Sequence, residues 1–155
     1  MIQQVTKGIR ISVETRYEGS FLKNSIPNHA FRYLIKIENQ SNEIIQLVKR
    51  HWKIMESTKP TQIVEGPGVV GKKPIIKTGQ MVQYESGCII NSQRGAMKGF
   101  YTMIIHSTAK EFNVEIPVFQ LDTPFQDFPK AKVFKLSEFF EEEFFDTKKI
   151  VHLQI

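Results

Sequence analysis

A single cysteine, Cys88, stands in 155 residues, so no disulfide can close within the chain. That scarcity fits a reducing compartment, and the cytoplasm is the expected setting. No apolar run approaches the roughly 18 residues of a membrane span. The opening MIQQVTKGIR has no apolar core of the kind that marks a secretory signal. Metal-ligand spacing is missing as well. The four histidines, His29, His51, His106 and His152, pair neither with one another nor with a second cysteine. The expectation is therefore no metal and no cofactor. No nucleophile announces itself. Ser86-Gly87-Cys88 lacks the strand-to-helix context of a G-x-S-x-G elbow, and Cys88 reads as a buried structural thiol. Glu141, Glu142 and Glu143 are neighbours on a solvated face and do not form a catalytic pair. Helical periodicity is missing before Pro129.

What is present alternates. Ile9, Ile11 and Val13 are interleaved with Arg10, Ser12 and Glu14. Phe31, Tyr33, Ile35 and Ile37 are interleaved with Arg32, Lys36 and Glu38, and Phe112, Val114, Ile116 and Val118 with polar residues. This period of two predicts strands with one buried face. Further strands are expected over 44–55, 61–64, 81–86 and 97–107. The alternation changes phase between Leu47 and Val48, which predicts a bulge. Pro117 lacks a ladder donor and predicts that its strand lies at an edge or ends there. The segment 18–28 reads as a polar, turn-rich connection, and Asn39 to Asn42 as a turn. Seven short strands predict an all-β fold, a two-sheet antiparallel β-sandwich with Trp52 in its core.

Glycine is concentrated. Seven of the nine glycines lie between Glu65 and Gly99, where the tight turns must be. Gly66-Pro67-Gly68-Val69-Val70-Gly71 fits G-x-G-x-x-G, but Pro74 and Gly79 leave no room for the helix that would hold a pyrophosphate. The same segment nearly fits a P-loop, with Lys73 where the Mg²⁺-ligating hydroxyl should stand. Two readings remain. Either the loop only turns the chain, or Gly66, Gly68 and Gly71 form an anion-binding nest beside Lys72 and Lys73.

Net charge is +5. Residues 130–155 hold five lysines and five acids, so the whole excess sits on the preceding residues. A modestly basic domain suits an anionic partner or simply a solvated surface. Tyrosine, phenylalanine and lysine do interleave, but in a sandwich such aromatics are mostly core, so nucleic acid is not the expected partner.

GVVG at 68–71, Pro74, Gly79 and the YESG at 84–87 together resemble the ApaG domain family. Gly95, Met97, Gly99, Tyr101 and Met103 are similar to that family's G-x-M-x-G-x-Y-x-M. Arg50 and Trp52 match its R-x-W strand, and the segment from Phe112 to Phe119 resembles its F-x-V-x-I-P-x-F close. Thr78 departs from the usual proline, and Asn91 to Arg94 replace a segment that usually contains Thr-Pro. The match runs from about Lys7 to Pro124. The resemblance implies an immunoglobulin- or fibronectin type III-like sandwich that acts as a non-enzymatic binding module for a protein partner. Bacterial members resemble neighbours of diadenosine-tetraphosphate hydrolysis, which implies nucleotide or polyphosphate binding as the alternative. The family's association with cobalt and magnesium handling finds no ligand set in this sequence. The domain is expected to cover residues 1–127. Residues 128–155 form an extension, read as a short amphipathic helix beginning at Ser137 or as flexible chain.

Overall fold

The alternating segments form two antiparallel sheets. The structure, a computed structural model, describes residues 1–124 and the strand at 150–154. The first sheet has the order β1-β2-β3-β7-β10, from β1 (Ile2–Thr6), β2 (Ile9–Lys23), β3 (Ile26–Asn39), β7 (Met81–Ile90) and β10 (Ile150–Gln154). The second has the order β5-β4-β8-β9, from β4 (Ile45–Glu56), β5 (Lys59–Pro67), β8 (Arg94–Ile105) and β9 (Glu111–Asp122). The two-residue β6 (Ile75–Ile76) pairs with β4 at Ile45 and Gln46. Among the described residues there is no helix, and so none long and apolar enough to cross a membrane.

Burial follows the pattern of two. In β3, Phe31, Tyr33, Ile35 and Ile37 face inward and are at most 2% exposed. Ile9, Ile11 and Val13 of β2 meet them in the same layer, and Trp52, Tyr101 and Phe119 close the core from the second sheet. Trp52 touches rings from both sheets, at 5.6 Å from Tyr33, 5.9 Å from Phe119 and 6.4 Å from Tyr101. Apolar burial of this kind is the main favourable term in folding. Cys88 is fully buried, and burial pushes its thiol far above the ordinary value. It is a packing residue.

The bulge expected beside Leu47 is present as a register shift between Leu47 and Lys49. Pro117 lies on β9, an edge strand of the second sheet, opposite the register shift between Met97 and Gly99. Its missing N–H therefore costs the ladder nothing.

The sequence reading of residues 18–28 as a connection is corrected. β2 and β3 continue as one long hairpin, paired from Ile9↔Asn39 to Lys23↔Ile26. The reversal is confined to Asn24 and Ser25, both with positive φ. Polar composition misled there because the hairpin tip is solvated, so no buried face imposes the alternation. β1 and β6 were likewise unforeseen, since β1 is exposed on four of its five residues and β6 has only two. The extension supplies β10, which pairs with β7 from Tyr84 to Met81. The helix expected from Ser137 and the boundary expected at 127 lie outside the described residues.

One cross-strand pair titrates. His29 and Ser20 are register partners, and Ser20 Oγ lies 2.5 Å from His29 Nδ1 and also shares a hydrogen bond with Tyr17. Burial lowers the His29 pKa below its ordinary 6.5, against a smaller opposing pull from Glu56. The unfolded chain therefore takes up the proton first as pH falls. The stability that His29 contributes is complete above 6.5 and is lost as pH falls through the lower folded value. The melting temperature should fall more steeply between pH 7 and pH 5 in the wild type than in His29→Gln. Equal slopes in the two proteins would remove His29 from the account.

Candidate functional site

The glycine loop leaves β5 at Pro67 and turns back within four residues. Val69 N–H donates to Lys72 O at 2.8 Å, and Lys72 N–H to Val69 O at 2.9 Å. The two residues between, Val70 and Gly71, both have positive φ, 45° and 77°. That is the requirement of a type I′ hairpin turn, which glycine meets freely and a β-branched residue meets at a cost. Burial offsets the strain at Val70. Val69 and Val70 are 1% and 4% exposed and join the core cluster. The turn packs its two valines into the core and leaves Gly71, Lys72 and Lys73 exposed.

Arg50 holds the turn in place. Its guanidinium is drawn into the interior (8% exposed), and Nη1 donates to Pro67 O at 2.9 Å and to Gly68 O at 3.1 Å. Around it Tyr33, Trp52, Val70, Tyr84 and Ser86 line a cavity of about 10 Å³. That is room for about one water molecule. Tyr84 and Tyr101 share a buried hydrogen bond beside it, and burial raises both phenols far above their ordinary value.

Each residue singled out in the sequence can now be placed. Gly66 lies against Arg50, and a Cβ there would sit 2.8 Å from Nη2. Gly68 has φ +58°, and its Cβ would fall 2.1 Å from the carbonyl oxygen of Lys72. Gly71 has only its backbone conformation to satisfy, with open space around it. Gly68 N–H donates to Val48 O, so the amides of Gly68, Val69 and Lys72 are all spent within the chain. Lys72 and Lys73 are exposed. Lys73 faces a groove beyond the loop. The sequence had Arg50 as part of a family motif, but no spacing rule ties it to a loop at a distance of 17 residues.

That groove lies on the outer face of the second sheet, with a volume of about 650 Å³. Val48, Phe100 and Ile104 give it an apolar floor, and Lys49, Lys73, Glu65 and Glu111 stand around it. His51 lines it as well. Its ring stacks on Phe100 at 4.6 Å and 12°, and Nδ1 lies 2.6 Å from Glu65 Oε1. Register explains the cluster, because Glu65, His51 and Phe100 are successive cross-strand partners on β5, β4 and β8. Sequence reasoning missed it, since only the pairing brings 51, 65 and 100 into one row. Among the described residues no group of histidine, cysteine and carboxylate side chains could hold a metal ion.

A two-sheet sandwich with a core-packed hairpin turn and a mixed apolar and charged outer face defines the class: a small all-β domain. The ApaG domain model matches residues 20–105. Protein ApaG of Methylobacterium radiotolerans is 37% identical over 124 residues, which cover 80% of this chain and 95% of that protein. Protein ApaG of Brucella abortus is 38% identical over 126 residues, covering 81% and 96%. The crystal structure of structural-genomics target SoR45 superposes with a TM-score of 0.72 at 32% identity, covering 83% of this chain and 96% of that one. A Bordetella pertussis structure described as an ApaA protein gives 0.66 at 30% identity, covering 76% and 95%. The chain belongs to the ApaG domain family.

Proposed function

We propose that this chain is a non-enzymatic binding module that engages a protein partner through the outer face of the second sheet. The observation that carries the reading is the groove over Val48, Phe100 and Ile104, an apolar floor with polar residues around it. Protein interfaces combine an apolar centre with a polar rim in this way. The glycine loop supports the reading from the other side. With three amides spent and its valines buried, it works as a structural turn. A cytoplasmic setting, with neither membrane nor nucleic acid as partner, belongs to the same proposal.

Phe100→Asp tests it. The residue is half-buried under His51 and its side chain is outside the core, so the fold should survive. Proteins captured from native lysate by the wild type should be lost with this variant at an unchanged melting transition. Capture that is indifferent to Phe100→Asp and to Ile104→Asp would remove the outer face from the proposal.

A further inference from the structure

Glu65 settles which nitrogen of His51 carries the hydrogen. Glu65 Oε1 lies 2.6 Å from His51 Nδ1, and a carboxylate accepts hydrogen bonds without donating any. Nδ1 is therefore the donor. In the neutral ring Nε2 then holds the lone pair and is the acceptor. Nε2 has no hydrogen-bond partner among the described residues, and it is not one of the buried polar atoms left without one, so it reaches solvent. The ring is not free to turn this lone pair away. One face stacks on Phe100 at 4.6 Å and 12°, and the side chain is only 18% exposed. The groove thus holds an oriented acceptor beside the apolar floor of Val48, Phe100 and Ile104.

We propose that the protein partner presents a tyrosine to this groove, with its ring on the apolar floor and its hydroxyl donating to His51 Nε2. This contact rests on the binding reading above and names what the groove recognises. A lone pair calls for a donor, which a carboxylate or a phosphate dianion cannot supply. The charged side chains around the groove, Lys49 and Lys73 against Glu65 and Glu111, balance in number and favour neither a cationic nor an anionic visitor. Arg50 also lines the groove, but its Nη1 is spent on Pro67 O and Gly68 O. A neutral donor remains, and the floor favours one carried on an apolar body. Tyrosine combines the two. Its phenol, which ionises at about pH 10, is a stronger donor than the hydroxyl of serine or threonine. Glu65 is a positioning residue here, because its carboxylate keeps the hydrogen on Nδ1 and leaves Nε2 to accept.

The test is NMR on the full chain at about pH 8.5, on the neutral side of histidine, with p-cresol as the probe because it is the tyrosine side chain alone. Long-range proton–nitrogen spectra should place the hydrogen on His51 Nδ1 and the lone pair on Nε2. p-Cresol should give saturable shifts at Phe100, Ile104 and His51 Nε2. Toluene, which lacks the hydroxyl, should bind about fivefold more weakly, the difference one neutral hydrogen bond makes. Glu65→Ala should release the hydrogen from Nδ1 and shrink that preference. His51→Phe keeps a ring against Phe100 without the acceptor, and should bind the two probes alike. A hydrogen found on Nε2 in the wild type overturns the proposal. So does equal binding of p-cresol and toluene, a preference unchanged in Glu65→Ala or in His51→Phe, or p-cresol shifts that map elsewhere or never appear. Lysate capture by Phe100→Asp reports on the outer face as a whole and the p-cresol preference on His51, so the two readings can fail separately.

Discussion

Trp52→Ala is expected to lose about 3–5 kcal/mol, the largest single loss in the chain. Trp52 is 2% exposed and joins the sheets through Tyr33 on one side and Tyr101 and Phe119 on the other. Truncation removes the transfer energy of a large aromatic and leaves a void that the three neighbouring rings cannot fill, because rigid side chains in cores relax only in part. The void would also open toward Arg50 and the small cavity beside it, so a buried guanidinium would lose apolar cover. In a domain of this size each kcal/mol moves the melting temperature by roughly 2–4 °C, so a fall of about 6–20 °C should follow. Denaturant titration checks it, with the midpoint falling at an unchanged slope. Trp52→Phe should recover part of the loss. A loss under about 1 kcal/mol would mean the side chain is not packed as described.

Gly68→Ala is expected to cost about 3 kcal/mol or more, from a backbone held at positive φ together with a forced shift of the turn. The position at +58° is one an alanine enters at a modest penalty. The contact decides the matter. A Cβ at 2.1 Å from the carbonyl of Lys72 must separate Val69 from Lys72, and that pair holds the turn closed. Opening the turn withdraws Val69 and Val70 from the core. Gly71→Ala provides the comparison, since it shares the positive φ and meets nothing within 4 Å. Its cost should be the backbone cost alone, about 1 kcal/mol. Lys72→Ala with Lys73→Ala should stay within about 0.5 kcal/mol of wild type, as exposed charges do.

The same double change separates the structural loop from an anion site. Calorimetry with ATP and with diadenosine tetraphosphate should show at most weak binding that fades toward physiological salt, where charges are screened over roughly 8 Å. Micromolar binding that survives physiological salt and is lost in the double lysine variant would reinstate the anion reading.

The sequence by itself determined the class of fold, because strand burial leaves a period of two that is local and countable. Phe31 to Ile37 and Phe112 to Ile116 show it without any tertiary information. It also narrowed Pro117 to an edge strand or a strand end and pointed to a bulge beside Leu47, since a missing donor and a phase change are properties of local sequence. Where no face is buried, that signal is absent. β1 and the tip of the β2–β3 hairpin were therefore invisible, although both are paired throughout. The loop residues were legible as a list, and their roles were not. Glycine spacing cannot distinguish a nest open to solvent from a turn whose valines point inward. Only the tertiary structure shows that Val69 and Val70 are buried and that Arg50, on the neighbouring strand, holds the loop's carbonyls. The row of Glu65, His51 and Phe100 is likewise set by register between three strands. Register is fixed by the buried faces of those strands acting together, which no single segment of the chain contains.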